Sequence, residues 1–444
     1  MMFFYPNVGR TWVLSRRYAP RLTARVLFCL LLWTSVCVQA GTSALTLSTA
    51  MARTLADNPA LQVYTFKRQI LDADRSQATL RPAYQLGIEA ENFAGSGATE
   101  GFSGGEYTLS LSAVLELGDK RNARIAAAGS RYHHLTAQRE IEAIELLGEV
   151  TRRFVAVLAA QHRLALAGES AQLAEQTYRE MANQSAAGAL PLADVKRAAA
   201  AAAQARLTAT IQEQQLEYLK VALAAMWGAT TPAFTTVAGE LYQFDDAIPF
   251  DTLLARVERN PALQIFAAEE RMRSAELRLA KTQSSTDVAW SVGVRRLEDG
   301  NDTALVAGVS IPLFSGQRNR SATQAAAAAR NEVMVRRDVA LTTIHTQLFR
   351  AYTSRAQAVL TVTQLRDTII PALEEALQEI KRAYERGRYR YLDYLSARQE
   401  WLGARRALID AASAALLYGA EIEQLTAEPL TAPDTDEDTT GTSP

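Results

Sequence analysis

The sequence predicts an α+β membrane protein made of two tandem copies of one unit, a strand pair followed by a helical hairpin. Four stretches alternate apolar and polar residues over a length that crosses a bilayer, which takes about 9–11 tilted strand residues. The long segments between them carry apolar residues at helical spacing, and several short motifs occur twice in the same order. Together these features predict long helices attached to a sheet that lies in a membrane.

The N-terminal region is typical of an exported protein. The first 40 residues hold five arginines and no acidic residue, and an apolar run over 26–38 precedes Ala40. This pattern predicts a secretory signal peptide over residues 1–40. Both cysteines, Cys29 and Cys37, lie within it, and lipidation of Cys37 is an open alternative. No apolar run of 18 residues follows, so the exported chain is predicted to be soluble or to cross a membrane with strands.

A duplication organises the rest of the chain. Three pairs of motifs share one offset of about 200 residues and keep their order: 58–62 with 260–264, 120–122 with 317–319, and 188–194 with 387–393. We therefore expect a first copy over residues 41–240 and a second copy over residues 245–426.

The first copy begins with a helix that Asn58 caps and in which Pro59 occupies the first turn. In its best strand, the even-numbered residues from Glu106 to Ser112 are polar and the odd-numbered residues from Tyr107 to Leu117 are apolar. The elements that follow the first helix are predicted in this order: strands at 84–93 and 106–118, a long helix at 122–187, and a returning helix at 192–227.

The second copy repeats this plan and ends in a polar tail. Its elements are predicted as a helix at 261–282, strands at 287–297 and 303–314, a long helix at 318–386 and a returning helix at 391–426. The tail over 427–444 is rich in Thr, Pro and Asp, which predicts a disordered acidic segment.

The strands and helices together predict an oligomer that encloses a conduit. About eight strands are needed to close a barrel around a lumen, so four strands per chain require several copies. The polar strand face, with Glu89, Glu91, Ser110 and Ser112, is then expected to line a wet lumen. Apolar residues at steps of seven, such as Leu402 and Ile409, predict coiled-coil packing in the helices. The alternative on these residues alone is a soluble four-helix bundle.

Several motifs carry a resemblance to a known family: the paired Asn-Pro-Ala-Leu segments, residues 115–124, 311–318 and 384–395. Over residues 44–426 the chain resembles the TolC family of outer-membrane efflux channels. The resemblance implies a homotrimer with a twelve-strand β-barrel, continued by a periplasmic α-helical coiled-coil tunnel. It also implies the outer membrane of a Gram-negative bacterium as location, outer-membrane lipid, a periplasmic adaptor protein and an inner-membrane pump as partners, and no enzymatic activity, cofactor or nucleic acid.

A shorter motif bears on the cargo. Residues 116–121, Glu-Leu-Gly-Asp-Lys-Arg, are similar to the Glu-Leu-Gly-Gly-Lys-Arg of the CzcC-like branch, with Asp119 in place of a glycine. This similarity implies an exit duct for heavy-metal cations, served by a pump of the RND type. Multidrug efflux and type I protein secretion are alternatives on the same fold, and a soluble periplasmic coiled-coil adaptor is an alternative on a different one.

The resemblance also implies a constriction at the periplasmic tip of the tunnel. Tyr384 matches an aromatic residue of the family's closed-state network, and Asp393 matches an inward carboxylate. Ser396 stands where the archetype has a second carboxylate, and Asp194 of the first copy is a further candidate. Carboxylates that converge at a narrow mouth favour cations. The alternative is that each Asp only complements the dipole at a helix N-terminus.

Two other motifs predict no chemistry. Residues 101–105, Gly-Phe-Ser-Gly-Gly, match a nucleophile elbow, but they lie in a predicted hairpin loop rather than at a strand-to-helix turn. His133 and His134 are adjacent on a predicted helix and therefore point apart, so we expect no metal site of ordinary spacing.

Overall fold

The computed structural model describes residues 44–102 and 104–430. The predicted signal peptide, Ser103 and residues 431–444 of the predicted tail lie outside the described residues. The helices of the described part are α1 (Leu47–Asp57), α2 (Pro59–Ala78), α3 (Lys120–Ala186), α4 (Leu192–Ala224), α5 (Phe250–Val257), α6 (Pro261–Thr282), α7 (Ser315–Arg318), α8 (Arg320–Gln364), α9 (Ile370–Glu385) and α10 (Tyr391–Thr426).

The strands form two sheets of very different size. They are β1 (Leu45–Thr46), β2 (Gln85–Glu91), β3 (Glu106–Leu115), β4 (Val237–Ala238), β5 (Val288–Leu297) and β6 (Asp302–Ser310). β1 and β4 make a short parallel pair, and the other four form an antiparallel sheet in the order β2-β3-β5-β6. The two strand pairs of the two copies thus join through β3 and β5 into one continuous sheet.

One face of the large sheet is apolar and exposed, as the alternation predicts. The register places apolar residues opposite one another, for example Leu109 opposite Val294. Several of these side chains keep most of their surface exposed: Leu86 70%, Ile88 80%, Leu305 84% and Val309 70%. A continuous exposed apolar face of this kind requires an apolar environment.

The other face of the large sheet carries small and polar residues. Glu89 lies opposite Thr108 and Glu91 opposite Glu106 across the β2–β3 pair. Gly293 of β5 occupies a close contact between the copies, because a Cβ atom there would lie 2.6 Å from the carbonyl oxygen of Leu109. The joint between the two copies therefore depends on a glycine at this position.

Two strands of the large sheet, β3 and β6, end earlier than the predicted bounds of 106–118 and 303–314. β3 stops at Leu115 because the backbone turns into α3 through left-handed conformations, with φ of +72° at Gly118 and +64° at Asp119. β6 stops at Ser310, and left-handed Phe314, with φ of +62°, leads into α7. Left-handed residues cannot continue a strand, so the chain changes direction there.

The long helix of the second copy, predicted over 318–386, is not one regular α-helix. α7 and α8 are followed by a π-helical turn over Leu365–Ile369, after which α9 begins. Pro371 in the first turn of α9 has no N–H to donate to the preceding turn, which accounts for the irregularity at this place. In the first copy α3 is continuous, while α4 ends at Ala224 and a 3₁₀ turn extends it to Trp227, the predicted end.

The main core lies midway along the helices. It joins α1, the middle of α3, the end of α4, the linker between the copies and α10, with Val150, Val157, Leu223, Leu241 and Ala412 almost fully buried. The short elements α1, α5, β1 and β4 were not predicted from the sequence. α1, β1 and β4 pack into this core, whereas α5 packs into a second core with α8 and α10. Within the described residues, no helix is both long and apolar enough to cross a membrane.

Candidate functional site

The hairpins α3–α4 and α9–α10 end in turns that each require a glycine. Gly188 has φ of +79° and Gly387 has φ of +72°, which lie in the left-handed region that glycine favours. The N–H of Gly188 donates to the carbonyl of Ser185 at 2.9 Å, and the N–H of Gly387 donates to the carbonyl of Tyr384 at 2.8 Å. These equivalent turns explain why glycine recurs at the same place in both copies.

Next to these turns, three tyrosines form a cluster between the two hairpins. The ring of Tyr384 on α9 lies parallel to that of Tyr394 on α10, with the centroids 5.9 Å apart, and 6.3 Å from the ring of Tyr391. Met181 of α3 and Val195 of α4 pack against the same group. The aromatic rings therefore hold the tip of one hairpin against the tip of the other.

The hydroxyl group of Tyr384 lies beside a cavity lined by both acidic and basic side chains. It is buried and has no hydrogen-bond partner within the described part of the chain. Burial raises the pKa of Tyr384, and the nearby Tyr391, Asp194 and Glu180 raise it further. A cavity of about 620 Å³ is lined by these residues among others. The structure thus brings together Tyr384 and Asp194, two of the three predicted site residues.

Asp194 lies in the first turn of α4, where its charge also complements the helix dipole. Its carboxylate is 27% exposed and lies 3.9 Å from the guanidinium of Arg197. At this distance and exposure the ion pair compensates the carboxylate only weakly. Asp194 therefore meets a cavity of mixed charge, because Arg197, Lys381 and Arg390 line it as well.

Asp393 occupies a different position from the other two predicted residues. It is exposed, and its carboxylate accepts a hydrogen bond of 3.0 Å from the N–H of Arg390, which caps the start of α10. It does not line the cavity that Tyr384 and Asp194 share. Its observed contact is the helix-terminal one that the sequence left as an alternative.

A further carboxylate lies one turn beyond Ser396. The hydroxyl of Ser396 lies 3.2 Å from the carboxylate of Glu400, and both residues are exposed. Asp393, Ser396 and Glu400 follow one another at helical spacing and share one face of α10. Glu400 was not among the predicted site residues. It lies seven residues after Asp393, two turns along the same helix, and this spacing alone places both carboxylates on one face.

The motif 116–124 fastens the large sheet to the helices. The ammonium group of Lys120 is buried and lies 2.7 Å from the carboxylate of Asp287, which precedes β5. Arg121 donates to the carbonyl of Thr79 at 2.7 Å, beyond the end of α2. Arg124 pairs with Glu116 across the turn. Lys120 therefore holds the segment before β5, whereas Arg121 and Arg124 both hold the segment after α2, since Arg124 also donates to the carbonyl of Leu80 at 3.2 Å.

The repeated Asn-Pro motif joins the two ends of each copy. Asn58 caps α2 by accepting from the N–H of Ala60 at 2.8 Å, and its amide donates to the carbonyl of Met226 at 2.7 Å. Asn260 caps α6 and donates in the same way to the carbonyl of Leu425 at 2.7 Å. Only the cap was predicted; the contact with the last helix of the copy depends on the tertiary fold.

The histidines form no metal centre in residues 44–102 and 104–430. There, no group of three or more His, Cys, Asp or Glu side chains is arranged to hold a metal ion. His134 instead lies half-buried on α3, with its Nε2 atom 3.1 Å from the amide nitrogen of Gln138. Burial lowers the pKa of His134.

Comparison with known proteins agrees with the architecture. The model of the outer membrane efflux protein family matches residues 50–229 and 255–428. The cobalt-zinc-cadmium resistance protein CzcC of Cupriavidus metallidurans is 30% identical over 308 residues, which cover 67% of this chain and 71% of that protein. The nickel and cobalt resistance protein CnrC of the same organism is 29% identical over 258 residues, 56% of this chain and 58% of that protein.

Solved structures share the fold. The CmeC outer membrane channel of Campylobacter jejuni superposes with a TM-score of 0.69 at 16% identity, over 86% of this chain and 85% of that chain. The two-copy arrangement of strand pair and helical hairpin is therefore the fold of a known class of outer-membrane channels, and the predicted combination of strands with long helical hairpins is confirmed.

Proposed function

The chain belongs to the outer membrane efflux protein family, and from this premise we propose that it is the exit duct through which a tripartite pump expels divalent heavy-metal cations. The observation that carries the cargo is the similarity to a cobalt-zinc-cadmium resistance protein over two thirds of this chain. The motif 116–124, which suggested the same branch, forms the junction between sheet and helices. In our proposal the motif supports the similarity to CzcC, but its residues do not contact the cargo.

The working unit is a homotrimer in our proposal. The large sheet has four strands, and its outer strands β2 and β6 each have one edge without a partner within the described residues. Such edges are costly in lipid, where backbone groups find no water. Three copies supply twelve strands, enough to close a barrel with the exposed apolar face toward lipid and the face with Glu89 and Ser110 toward the lumen.

The helices extend this duct through the periplasm. α3 has 67 residues, so it is about 100 Å long. A passive conduit of this kind performs no catalysis and takes its driving force from elsewhere. We place a periplasmic adaptor protein around the hairpin tips and an RND-type pump in the inner membrane as its partners.

The aperture is formed by the hairpin tips. Tyr384 and Asp194 lie between the two hairpins, and Asp393 and Glu400 lie on the exposed face of α10. In a trimer each carboxylate occurs three times around the axis, which raises the local concentration of cations. Tyr384 holds the hairpins together in the closed arrangement, while the carboxylates select the charge of what passes.

A deletion strain tests the cargo. We expect hypersensitivity to Zn, Co, Cd or Ni and a raised cell-associated content of the same metal, both restored by the wild-type gene. Asp393→Asn with Glu400→Gln should restore less resistance than wild type at equal protein level. Asp72→Asn with Asp74→Asn, two exposed residues of α2, is the control with the same change in charge. Drug sensitivity with unchanged metal content would assign a multidrug duct instead. Loss of a secreted polypeptide would assign a type I secretion duct.

A further inference from the structure

A second cavity, separate from the one at the tip, lies between α3, α4 and α10. Its volume is about 470 Å³. On α10 its lining begins at Leu395, directly after Tyr394 of the tyrosine cluster. Its walls combine apolar side chains, such as Leu395 and Leu402, with the amides of Gln204 and Gln399. A space of this size accommodates a small molecule.

The charged side chains that line this cavity are all basic. Arg163, Arg398 and Arg406 line it, and among residues 44–102 and 104–430 no Asp or Glu does. Arg163 is compensated from outside, because two of its nitrogens lie 2.8 and 3.1 Å from the carboxylate of Asp410. Arg406 is exposed. The uncompensated positive charge inside the cavity therefore belongs mainly to Arg398.

Arg398 is buried, and its Nε atom has no hydrogen-bond partner within the described residues. The exposed fraction of Arg398 is 5%. Within the described residues no carboxylate lies within 4.0 Å of its guanidinium. Arg405 on the same helix does have partners: it donates a hydrogen bond of 2.7 Å to the carboxylate of Glu169, and its guanidinium stacks on the ring of Trp401. A buried guanidinium is costly unless an acceptor compensates it.

We propose that this cavity binds a small oxyanion, either an inorganic anion of the phosphate type or a small carboxylate. The planar guanidinium of Arg398 offers paired N–H donors that match two oxygens of such an anion. Gln204 and Gln399 supply neutral donors from α4 and α10. The bound anion links the α3–α4 hairpin to α10, so it stabilises one arrangement of the two hairpins. This site stands independently of the cargo assigned above.

The test is calorimetric titration of the full-length protein, purified in detergent in its native oligomeric state. Sodium phosphate and sodium citrate are the two probes, each at constant ionic strength against chloride. We expect saturable binding at one site per chain for at least one probe. Arg398→Gln should weaken it about tenfold or more, the effect of one lost charge-assisted hydrogen bond. Arg405→Gln, with the same charge change on the same helix, should leave it unchanged.

Further variants separate lost binding from lost folding. Without a probe, the melting temperature of Arg398→Gln should equal or exceed that of the wild type, because the substitution removes an unpaired buried charge. Arg398→Lys keeps the charge but loses the paired donors and should bind with intermediate affinity. Binding of phosphate alone assigns an inorganic anion, and binding of citrate alone assigns a carboxylate. Absence of saturable binding for both probes, or equal affinity in Arg398→Gln, overturns the proposal.

Discussion

Lys120 illustrates how one side chain connects two copies of a duplicated chain. It belongs to the first copy, whereas its partner Asp287 precedes the first strand of the second copy, and the pair is largely shielded from solvent. Asp287 also accepts from the N–H of Leu117 at 3.2 Å. One carboxylate thus fixes both the end of β3 and the start of α3. The sequence shows the motif around Lys120 but gives no signal for its partner, which lies 167 residues away.

We predict that Lys120→Met lowers the free energy of unfolding by about 2 kcal/mol, because Asp287 then lies partly buried without its cation. Asp287→Asn should cost at least as much, since the more deeply buried ammonium group remains. Urea unfolding in detergent measures both, and a double-mutant cycle gives the coupling between them. Arg366→Gln is the matched control, because its pair with Asp367 is fully exposed and should contribute nothing measurable. Additive single effects at Lys120 and Asp287 would contradict the interaction.

His134 gives the protein a pH dependence of known sign. Burial lowers its pKa in the folded state below the ordinary value of 6.5; Arg273 and Arg336 lower it further, and Glu269 and Glu276 oppose this. Below pH 6.5 the unfolded chain therefore binds more protons at this position than the folded one. This contribution to stability is present above that pH and is lost as the pH falls.

We therefore predict that the wild-type protein loses stability as the pH falls below 6.5 and that His134→Gln loses less over the same range. The melting temperature recorded at a series of pH values measures the difference. His133→Gln is the control, since His133 is adjacent on α3 but exposed. A pH profile of His134→Gln that coincides with that of the wild type would show that His134 does not titrate as its burial indicates.

At the scale of elements, the repeated asparagines have two roles that can be separated by substitution. As a helix cap, Asn is equivalent to Asp. Asp cannot replace Asn260 in its second role, the hydrogen bonds to the end of α10. The amide N–H groups of Asn260 donate to the carbonyls of Gln424 and Leu425, and Asp has no such groups. Asn260 is 3% exposed, so a carboxylate there would be buried against two carbonyl oxygens.

We predict that Asn260→Asp destabilises the protein by about 2 kcal/mol, at least as much as Asn260→Ala, because buried hydrogen bonds are lost in both. Thermal unfolding of the two variants measures this. Thr46→Asp is the control, since Thr46 caps α1 in an exposed position and makes no comparable contact. A harmless Asn260→Asp would mean that the cap alone matters and that the contact between helix ends contributes little.

The bounds of the elements show what the sequence can predict and where tertiary contacts decide. The alternation of β3 and the helical start at Asn58 are local signals, and both elements appear where expected. The strand end near Phe314 was placed too late, because no sequence pattern indicates a phenylalanine with positive φ. β1 and β4 have two residues each and exist only because the ends of the first copy meet.

Some residues of the candidate site could also be predicted from the sequence, whereas others depend on tertiary contacts. Tyr384 and Asp194 were selected on separate hairpins, and the packing of those hairpins places both at one cavity. Asp393 was selected for the same mouth, but its carboxylate turns back onto the N-terminus of its own helix. Arg398 had no signal in the sequence, since the absence of an acidic partner becomes visible only in three dimensions.

At the scale of the whole molecule, the two faces of the large sheet decide how the protein meets its surroundings. Leu305 and Val306 are neighbours on β6 and point to opposite faces. Leu305 is 84% exposed on the apolar face, and Val306 lies on the face with the small and polar residues, opposite Gly293. In the proposed trimer the side chain of Leu305 faces lipid and the side chain of Val306 faces the lumen.

We predict that Leu305→Arg reduces assembly in the outer membrane strongly, because an arginine facing lipid costs about 2–4 kcal/mol at the middle of the bilayer. Val306→Arg changes the same charge one residue away and should assemble normally, since its side chain reaches water in the lumen. Membrane fractionation and the amount of oligomer on unheated gels compare the two variants. Equal assembly of Leu305→Arg and wild type, or a larger defect in Val306→Arg, would reverse the assignment of the faces. The lumen would then be lined by leucine and valine, and an aqueous path for cations through the sheet would be lost.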